Sequence, residues 1–339
     1  MAADPTRQET PDERGAARRP EPGRPRGTEP TTLAWSRGQP PEPDLPGPKR
    51  PPLAADCWFL TGPTASGKSA IAVDLALRLD AEIVSVDSMA VYRGLDVGTA
   101  KPPPEDRQRI RHHVLDVVEP AESYSVARWL DDVTAALTDC RSRGRRILFV
   151  GGTPLYLRAL RDGLAPAPAA DEAFRRQMLD EISSQGTAAV HRRLAAVDPA
   201  AAARIHPHDA KRIIRGLEVA HVTGGPLSAL QVPDPHPVFE TQFLVRDLPR
   251  RLLAERIDRR VERMFASGLL EETEAALNLP GGIGQTARQA AGYAEALDVL
   301  AGRLDRNEAI RRTQQRTRQL AKRQLTWLRS FRHAIWVSA

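Results

Sequence analysis

Eight residues, Gly62-Pro63-Thr64-Ala65-Ser66-Gly67-Lys68-Ser69, constrain this chain more than any other stretch. They fit G-x-x-x-x-G-K-[ST], a loop that cradles phosphate oxygens with backbone N–H groups. Before them, Cys57 to Thr61 is a short apolar run that reads as a buried strand. After them, Lys68 to Leu79 reads as a helix, with Ile71, Leu75 and Leu79 at four-residue spacing. Strand, glycine loop and helix together aim N–H groups and the positive helix end at an anion. In such a loop the lysine, Lys68, reaches the outer phosphates and the hydroxyl of Ser69 sits on a magnesium ion. Which phosphate compound is held stays open.

Two more strands end near chemistry. Ala81 to Val86 reads as a strand followed by Asp87-Ser88. In an open parallel α/β sheet, ligands bind at the carboxyl ends of strands, which would set Asp87 beside the phosphate loop. A turn or helix-capping role for Asp87 is the alternative. Arg146 to Val150 is the third clear strand, and it runs into Gly151-Gly152-Thr153. A P-loop ATPase usually has a magnesium-holding Asp there. Thr153 instead lies at that rim, or caps a helix from Pro154 to Leu160. The Asn-Lys-x-Asp signature of GTPases is also missing. A diphosphate that leaves suits these absences better than a triphosphate that is cleaved.

The rest of the chain divides by composition. Residues 1–52, rich in Pro, Arg, Glu and Gly, lack apolar periodicity and read as a disordered tail. Residues 53–164 and 236–339 read as the α/β core. Residues 165–235 interrupt the alternation of strand and helix and read as an inserted helical subdomain, almost all helix from Asp171 to Thr223. Ser228 to Pro237 is a turn-rich connector, and Phe239 to Val245 returns a strand to the sheet. A helix over 123–140 starts at Ser123, and a long one spans Pro249 to Leu270. His112-His113 point to opposite faces of any regular element, which is poor metal geometry. A helix runs from about Glu308 to the end, with no acidic residue after Glu308. Arg318, Lys322 and Arg329 share one stripe of it; Leu320, Trp327 and Phe331 share the opposite, buried one. A footprint on a phosphate backbone is the functional reading of that basic stripe.

The 339 residues hold two cysteines, Cys57 and Cys140, too few for a disulfide framework. No long apolar run or secretory segment occurs, so a cytoplasmic protein without membrane attachment is expected. The net charge of +6 permits a nucleic-acid partner. Two classes remain on these grounds: a transferase acting on nucleic acid, or a small-molecule kinase with an incidental basic surface.

Several separated segments together resemble the tRNA dimethylallyltransferase (tRNA isopentenyltransferase) family. They are Gly62 to Ser69, Asp87 to Gly94, Gly98 to Pro102, His112 to Asp116 and Gly151 to Leu157. Lys211 to Arg215, Arg256-Ile257-Asp258, Gly292-Tyr293 and Thr317 to Trp327 complete the set, in family order, from about residue 57 to 330. The resemblance implies an α/β fold, a P-loop NTPase-like parallel sheet core flanked by helices, with an inserted all-helical subdomain. It implies transfer of a dimethylallyl group from dimethylallyl diphosphate to N6 of adenosine 37, in the anticodon stem-loop of tRNAs reading codons that begin with U. Carried over by motif, Asp87 is the general base, with Thr153 as a second catalytic residue. Gly62, Pro63, Thr64, Ala65, Ser66, Gly67, Lys68, Ser69 and Arg250 hold the diphosphate, and Ser69 helps place Mg²⁺. Asp87, Ser88, Met89, Ala90, Thr153, Arg175, Lys211, Arg212, Ile213, Ile214, Arg215, Arg318 and Lys322 are the expected tRNA contacts. A monomer is expected. The chain departs from the family at Ala90, usually Gln, at Ala294, usually Lys, and at Leu320, commonly Tyr.

Overall fold

The computed structural model describes residues 49–230 and 242–338. Its strands are β1 (Cys57–Thr61), β2 (Ala81–Val86), β3 (His112–His113), β4 (Arg146–Gly151), β5 (Phe243–Asp247) and β6 (Ile335–Ser338). They form one sheet in the order β3-β2-β4-β1-β5-β6, with every pairing parallel. Every residue of β2 and all but one of β1 are buried. That is the pattern of strands covered on both faces, and in β2 it encloses Glu82 and Ser85 along with the apolar residues.

Register does the positioning. Thr61 on β1 pairs with Gly151 on β4, and Gly151 pairs with Val86 on β2. The carboxyl ends of three adjacent strands therefore lie level, each about 4.8 Å from the next. Gly62, Asp87 and Gly152 leave the sheet from that one row. Gly151 tolerates no side chain, because a Cβ there would meet the Val86 carbonyl oxygen at 2.2 Å.

Helix α1 (Lys68–Leu79) follows the glycine loop, as its spacing predicts. The segment from Asp87 to Pro103 is irregular and leads into α2 (Pro104–Arg109). Helix α3 (Val126–Ser142) starts later than predicted. Its cap is Ser125, which accepts from the Arg128 N–H, and not Ser123. Helix α4 (Pro154–Asp162) starts with proline after Thr153. Residues 49–52, counted with the tail on composition, pack on the core: Lys49 bridges Leu164 and its ammonium pairs with Asp131 at 2.5 Å. The rest of that tail, the connector beyond Leu230 and the start of the 239–245 strand lie outside the described residues.

The stretch expected to be almost all helical is four helices: α5 (Glu172–Gln185), α6 (Thr187–Val197), α7 (Pro199–Arg204) and α8 (Ala210–Thr223). Phe174, Met178, Val190, Leu194, Ile213 and Leu217 give them a hydrophobic cluster apart from that of the sheet. Glu218 is fully buried in this block. It accepts from Arg175 at 2.8 and 3.1 Å, from Arg215, and from the Asp171 N–H at 2.8 Å.

The helix expected over 249–270 is two helices. Helix α9 (Arg250–Ala266) stops, and Gly268, at φ 97°, turns the chain into α10 (Leu269–Leu277). Left-handed backbone there favours glycine, which has no Cβ to clash. Helices α11 (Gln285–Arg288), α12 (Tyr293–Leu300) and α13 (Arg306–Leu328) follow. The helix ends at Leu328, not at the end of the chain, and of the predicted buried stripe only Phe331, just beyond it, is enclosed; the buried face of α13 is otherwise a different one. It is Ala309, Thr313, Thr317, Ala321, Gln324, Leu325 and Leu328. Leu320 and Trp327 are only partly buried. Small residues on the packed face let this helix approach closely.

Burial opposes the charge of Glu218, but its hydrogen bonds to Arg175 and Arg215 outweigh this and lower its pKa. A carboxyl lowered in this way stabilises the fold fully above its ordinary value of 4.5. That contribution is lost as pH falls through the lowered value. Glu218→Ala should cost about 2–3 kcal/mol by urea denaturation at neutral pH. Arg212→Ala, at an exposed pair with Asp209, should shift stability by less than about 0.5 kcal/mol.

Candidate active site

The level strand ends open onto a cavity of about 630 Å³. Lys68, Ser69, Asp87, Ser88, Met89, Ala90 and Thr153 all line it. The glycine loop, the segment after β2 and the segment after β4 are thus brought to one space. A second, more open cavity of about 1300 Å³ lies against the other side of the loop. Ala65, Gly67, Lys68 and Ser69 line it, with Arg256, Arg259, Arg260 and Arg263 from α9. Lys68, Ser69 and Arg260 border both spaces, so the end of the glycine loop stands between them.

The loop is held from three directions. Arg246, at the end of β5, donates from Nε to the Ser66 carbonyl at 2.8 Å, and Arg256 reaches the same oxygen at 3.5 Å. From α13, Gln324 accepts the Thr64 N–H at 2.8 Å and donates to the Gly152 carbonyl at 2.8 Å. Gly152 needs to be glycine, since a Cβ would lie 2.7 Å from the Gly62 carbonyl oxygen and 2.9 Å from Gln324 Nε2. The Thr153 hydroxyl accepts the Ser88 N–H at 3.0 Å, and Asp87 Oδ1 accepts the Met89 N–H at 2.9 Å. These bonds fix the carboxylate and the threonine at the rim.

Charge concentrates at the loop. Burial pulls the Lys68 ammonium down to about 8; Asp87 opposes that shift and Arg260 adds to it. Burial likewise lowers Arg260, which donates to the Thr99 carbonyl at 3.2 Å. An anion bound here would relieve both. Lys101 also borders the cavities, but its ammonium is committed to Asp116 at 2.5 Å, Asp96 at 2.6 Å and the Tyr92 carbonyl. The loop carrying Lys101 is itself anchored: Glu272 accepts the N–H groups of Asp96, Val97 and Gly98 and the Tyr293 hydroxyl.

The Ser69 hydroxyl puts an oxygen donor on the cavity wall, as a hard cation such as Mg²⁺ requires. Few protein ligands are needed where phosphate oxygens and water complete the shell. Among the described residues, the one clustered set of three metal-ligating side chains is elsewhere: Glu82, His113 and Cys140. There Arg143 already engages both oxygens of Glu82. His112 faces the first cavity while His113 faces Glu82, so the two histidines diverge as their adjacency predicts.

Several expected contacts sit elsewhere. Arg250 is exposed at the start of α9 and lines neither cavity, because the face of α9 turned to the loop begins one and a half turns later, at Arg256. Ile213 and Ile214 are buried in the helical block, on the inward face of α8, and present no surface to a macromolecule. Arg175 and Arg215 are bound to Glu218, while Arg212 is exposed. Lys211 reaches Gln289, which lines the first cavity. Lys322 is exposed. Arg318 pairs with Asp258 of α9, and Arg316 with Glu295 at 2.6 Å, so neutralising acids come from neighbouring helices. Gly62, Pro63 and Ser66 line neither cavity and act as loop framework.

Four residues next to the site have no role assigned from sequence: Arg246, Arg260 on the arginine-rich helix, and Arg323 and Gln324 within the Thr317 to Trp327 segment. The spacing of Arg256, Arg260 and Arg263, four and then three residues, is the signal that marks one helix face. Arg246 carries no such signal, and Gln324 is marked only by its family segment, since the roles of both depend on which strand and helix become neighbours.

Comparison with known proteins shows the family. Residues 90–331 match the family model described as IPP transferase, and residues 55–122 match one described as isopentenyl transferase. A protein of Geobacter metallireducens, named tRNA dimethylallyltransferase, is 46% identical over 284 residues, 82% of this chain and 91% of its own. One of Anaeromyxobacter dehalogenans with the same name is 48% identical over 83% and 94% of the two chains. The crystal structure of the tRNA isopentenylpyrophosphate transferase of Bacillus halodurans is similar with a TM-score of 0.60 at 37% identity, covering 84% of this chain and 90% of that one. A eukaryotic dimethylallyltransferase caught acting on tRNA gives 0.66 at 27% identity, over 86% of this chain and 74% of its own. The chain belongs to the IPP transferase family.

Proposed function

We propose that this protein transfers a dimethylallyl group from dimethylallyl diphosphate to N6 of adenosine 37 in tRNAs reading codons that begin with U. The products are N6-(dimethylallyl)adenosine and diphosphate. The observation that carries the reading is the meeting of Lys68, Ser69, Asp87 and Thr153 at one cavity wall. A leaving diphosphate and a base for the acceptor are needed side by side, and these groups supply both. The protein is taken to act as a cytoplasmic monomer. Among the described residues no helix is long and apolar enough to cross a membrane.

The N6 amine of adenine is a poor nucleophile, because its lone pair is delocalised into the ring. Removal of a proton during attack makes it competent. Asp87, oriented by the Met89 N–H, takes that proton. The new bond joins N6 to the terminal allylic carbon as the carbon–oxygen bond to the diphosphate breaks. The electron pair leaves with the diphosphate. Loop N–H groups, Lys68 and Arg260 stabilise the charge that develops there, an arrangement in place before reaction. Ser69 is the side chain that would hold Mg²⁺, which when bound screens the charge of the diphosphate. The adenine must leave its stack to enter the first cavity, which costs least in an open loop. Arg323 at the cavity, Lys211 beside it and exposed Lys322 offer partners to the RNA backbone. The helical block α5–α8 is assigned to the anticodon stem.

Incubation with dimethylallyl diphosphate and an unmodified tRNA, then mass analysis of its nucleosides, tests the reading directly. A mass gain on adenosine is expected; phosphoryl transfer from labelled ATP without RNA would refute it. Asp87→Asn should slow single-turnover transfer by about 10²–10⁴-fold and leave tRNA affinity nearly unchanged. Diphosphate prefers the charged form of Lys68, and the free protein loses that proton above about 8. Binding of pyrophosphate, measured by calorimetry, should therefore weaken as the pH rises past 8, and Lys68→Arg should remove that dependence. Removing Lys322 and Arg323 should lower the slope of log affinity for tRNA against log salt by about 1 for each phosphate that is no longer neutralised. Arg318→Ala should change the slope less, because Asp258 already balances that charge.

A further inference from the structure

The side-chain amide of Gln324 joins two loops that the chain itself keeps apart. Its oxygen accepts from Thr64 in the glycine loop, 260 residues away in sequence, and its nitrogen donates to Gly152, 172 residues away. The orientation of the amide is dictated, because a backbone N–H only donates and a carbonyl only accepts. The residue is buried, so water does not replace either bond readily. The connection continues past Gly152. Thr153 follows it, and its hydroxyl accepts the N–H of Ser88, the neighbour of Asp87. A run of bonds therefore leads from the glycine loop through Gln324 to the segment bearing the carboxylate.

We propose that Gln324 is a positioning residue that sets the separation between the diphosphate loop and the Asp87 segment. The inference rests on the reading of these two segments as donor and acceptor sides of one transfer. Only a side-chain amide of this length serves. Glutamate lacks the donor, methionine fills the volume with neither group, and asparagine is one methylene short. The bracket matters for rate because displacements on the order of 1 Å between reacting groups cost up to about 10²-fold. Gln324 also adjoins Arg323, which lines the same cavity, so the helix bracing the two loops also faces the proposed RNA.

The test compares wild type with Gln324→Met, and with Gln324→Glu as a second variant. Three measurements are made: single-turnover transfer at saturating substrates, the steady-state KM for tRNA, and binding of inorganic pyrophosphate with Mg²⁺ by calorimetry. For Gln324→Met the transfer rate should fall about 10–100-fold with the KM for tRNA within threefold of wild type. Pyrophosphate affinity should also fall several-fold, since Thr64 is released. Gln324→Glu keeps the acceptor for Thr64 and loses the donor for Gly152, so its rate should fall as well. Combining Gln324→Met with Thr153→Val should slow transfer little beyond the slower single variant, because both act through one bracket. A rate and a pyrophosphate affinity within twofold of wild type in Gln324→Met would overturn the inference, as would multiplicative losses in the double variant. A wild-type protein that binds pyrophosphate in a Gln324-dependent way, yet modifies no tRNA, would refute the proposed reaction and uphold the role of Gln324 at the loop.

Discussion

The site exists because three parallel strands end at the same height. Thr61, Gly151 and Val86 share one row of the sheet, and the chain leaves that row three times. A slip of one residue in either pairing would turn every side chain of the slipped strand to the opposite face. It would also move Asp87 or Thr153 along the strand axis by roughly 3.3 Å. Close packing protects the register. The Val86 carbonyl leaves no room for a side chain on Gly151, and the Gly62 carbonyl leaves none on Gly152. The glycines at the end of β4 thus specify how two sheet neighbours meet, not only how a turn bends.

Around that row the protein gathers positive charge and keeps part of it dry. Lys68 and Arg260 both have their charged forms penalised by burial. Such groups are poised for an anionic ligand, which returns by direct contact what solvent no longer supplies. Asp87 is the counterweight on the same wall, and it draws the pKa of Lys68 upward. Other cations nearby are already spent on structure. Lys101 is locked between Asp96 and Asp116, and Arg246 grips the glycine loop. Counting basic residues near the cavity would not separate these roles; their partners do.

Much of the architecture could be read in the sequence, where local rules decide. The glycine loop, β1, β2, β4 and α1 follow from a motif and from apolar runs bounded by turns. The placement of Asp87 and Thr153 followed from the rule that ligands sit at strand carboxyl ends. What could not be read depends on long-range pairing. Residues His112 and His113 form a two-residue strand only because β2 is there to pair with them. The buried face of α13 looked like its large apolar residues, yet Thr313, Thr317 and Gln324 are enclosed with Leu325 and Leu328, while Leu320 and Trp327 are only partly so. Helix α9 gave a similar lesson: Arg250 opens the helix, but Arg256 and Arg260 face the loop. Ile213 and Ile214 lie within a basic segment whose other members are polar, and the twist of α8 turns the two isoleucines inward.

The ion pairs of α13 have a consequence along its axis. Toward its start, Arg311 and Arg312 share Glu308, and in its middle Arg316 and Arg318 are matched by Glu295 and Asp258. Lys322, Arg323 and Arg329 make no salt bridge among the described residues. The helix is therefore an electrostatic ramp, near neutral at one end and cationic at the other, where its backbone carbonyls carry the opposite partial charge. A polyanion drifting over this surface would be drawn toward the final turns and not spread evenly along the rod.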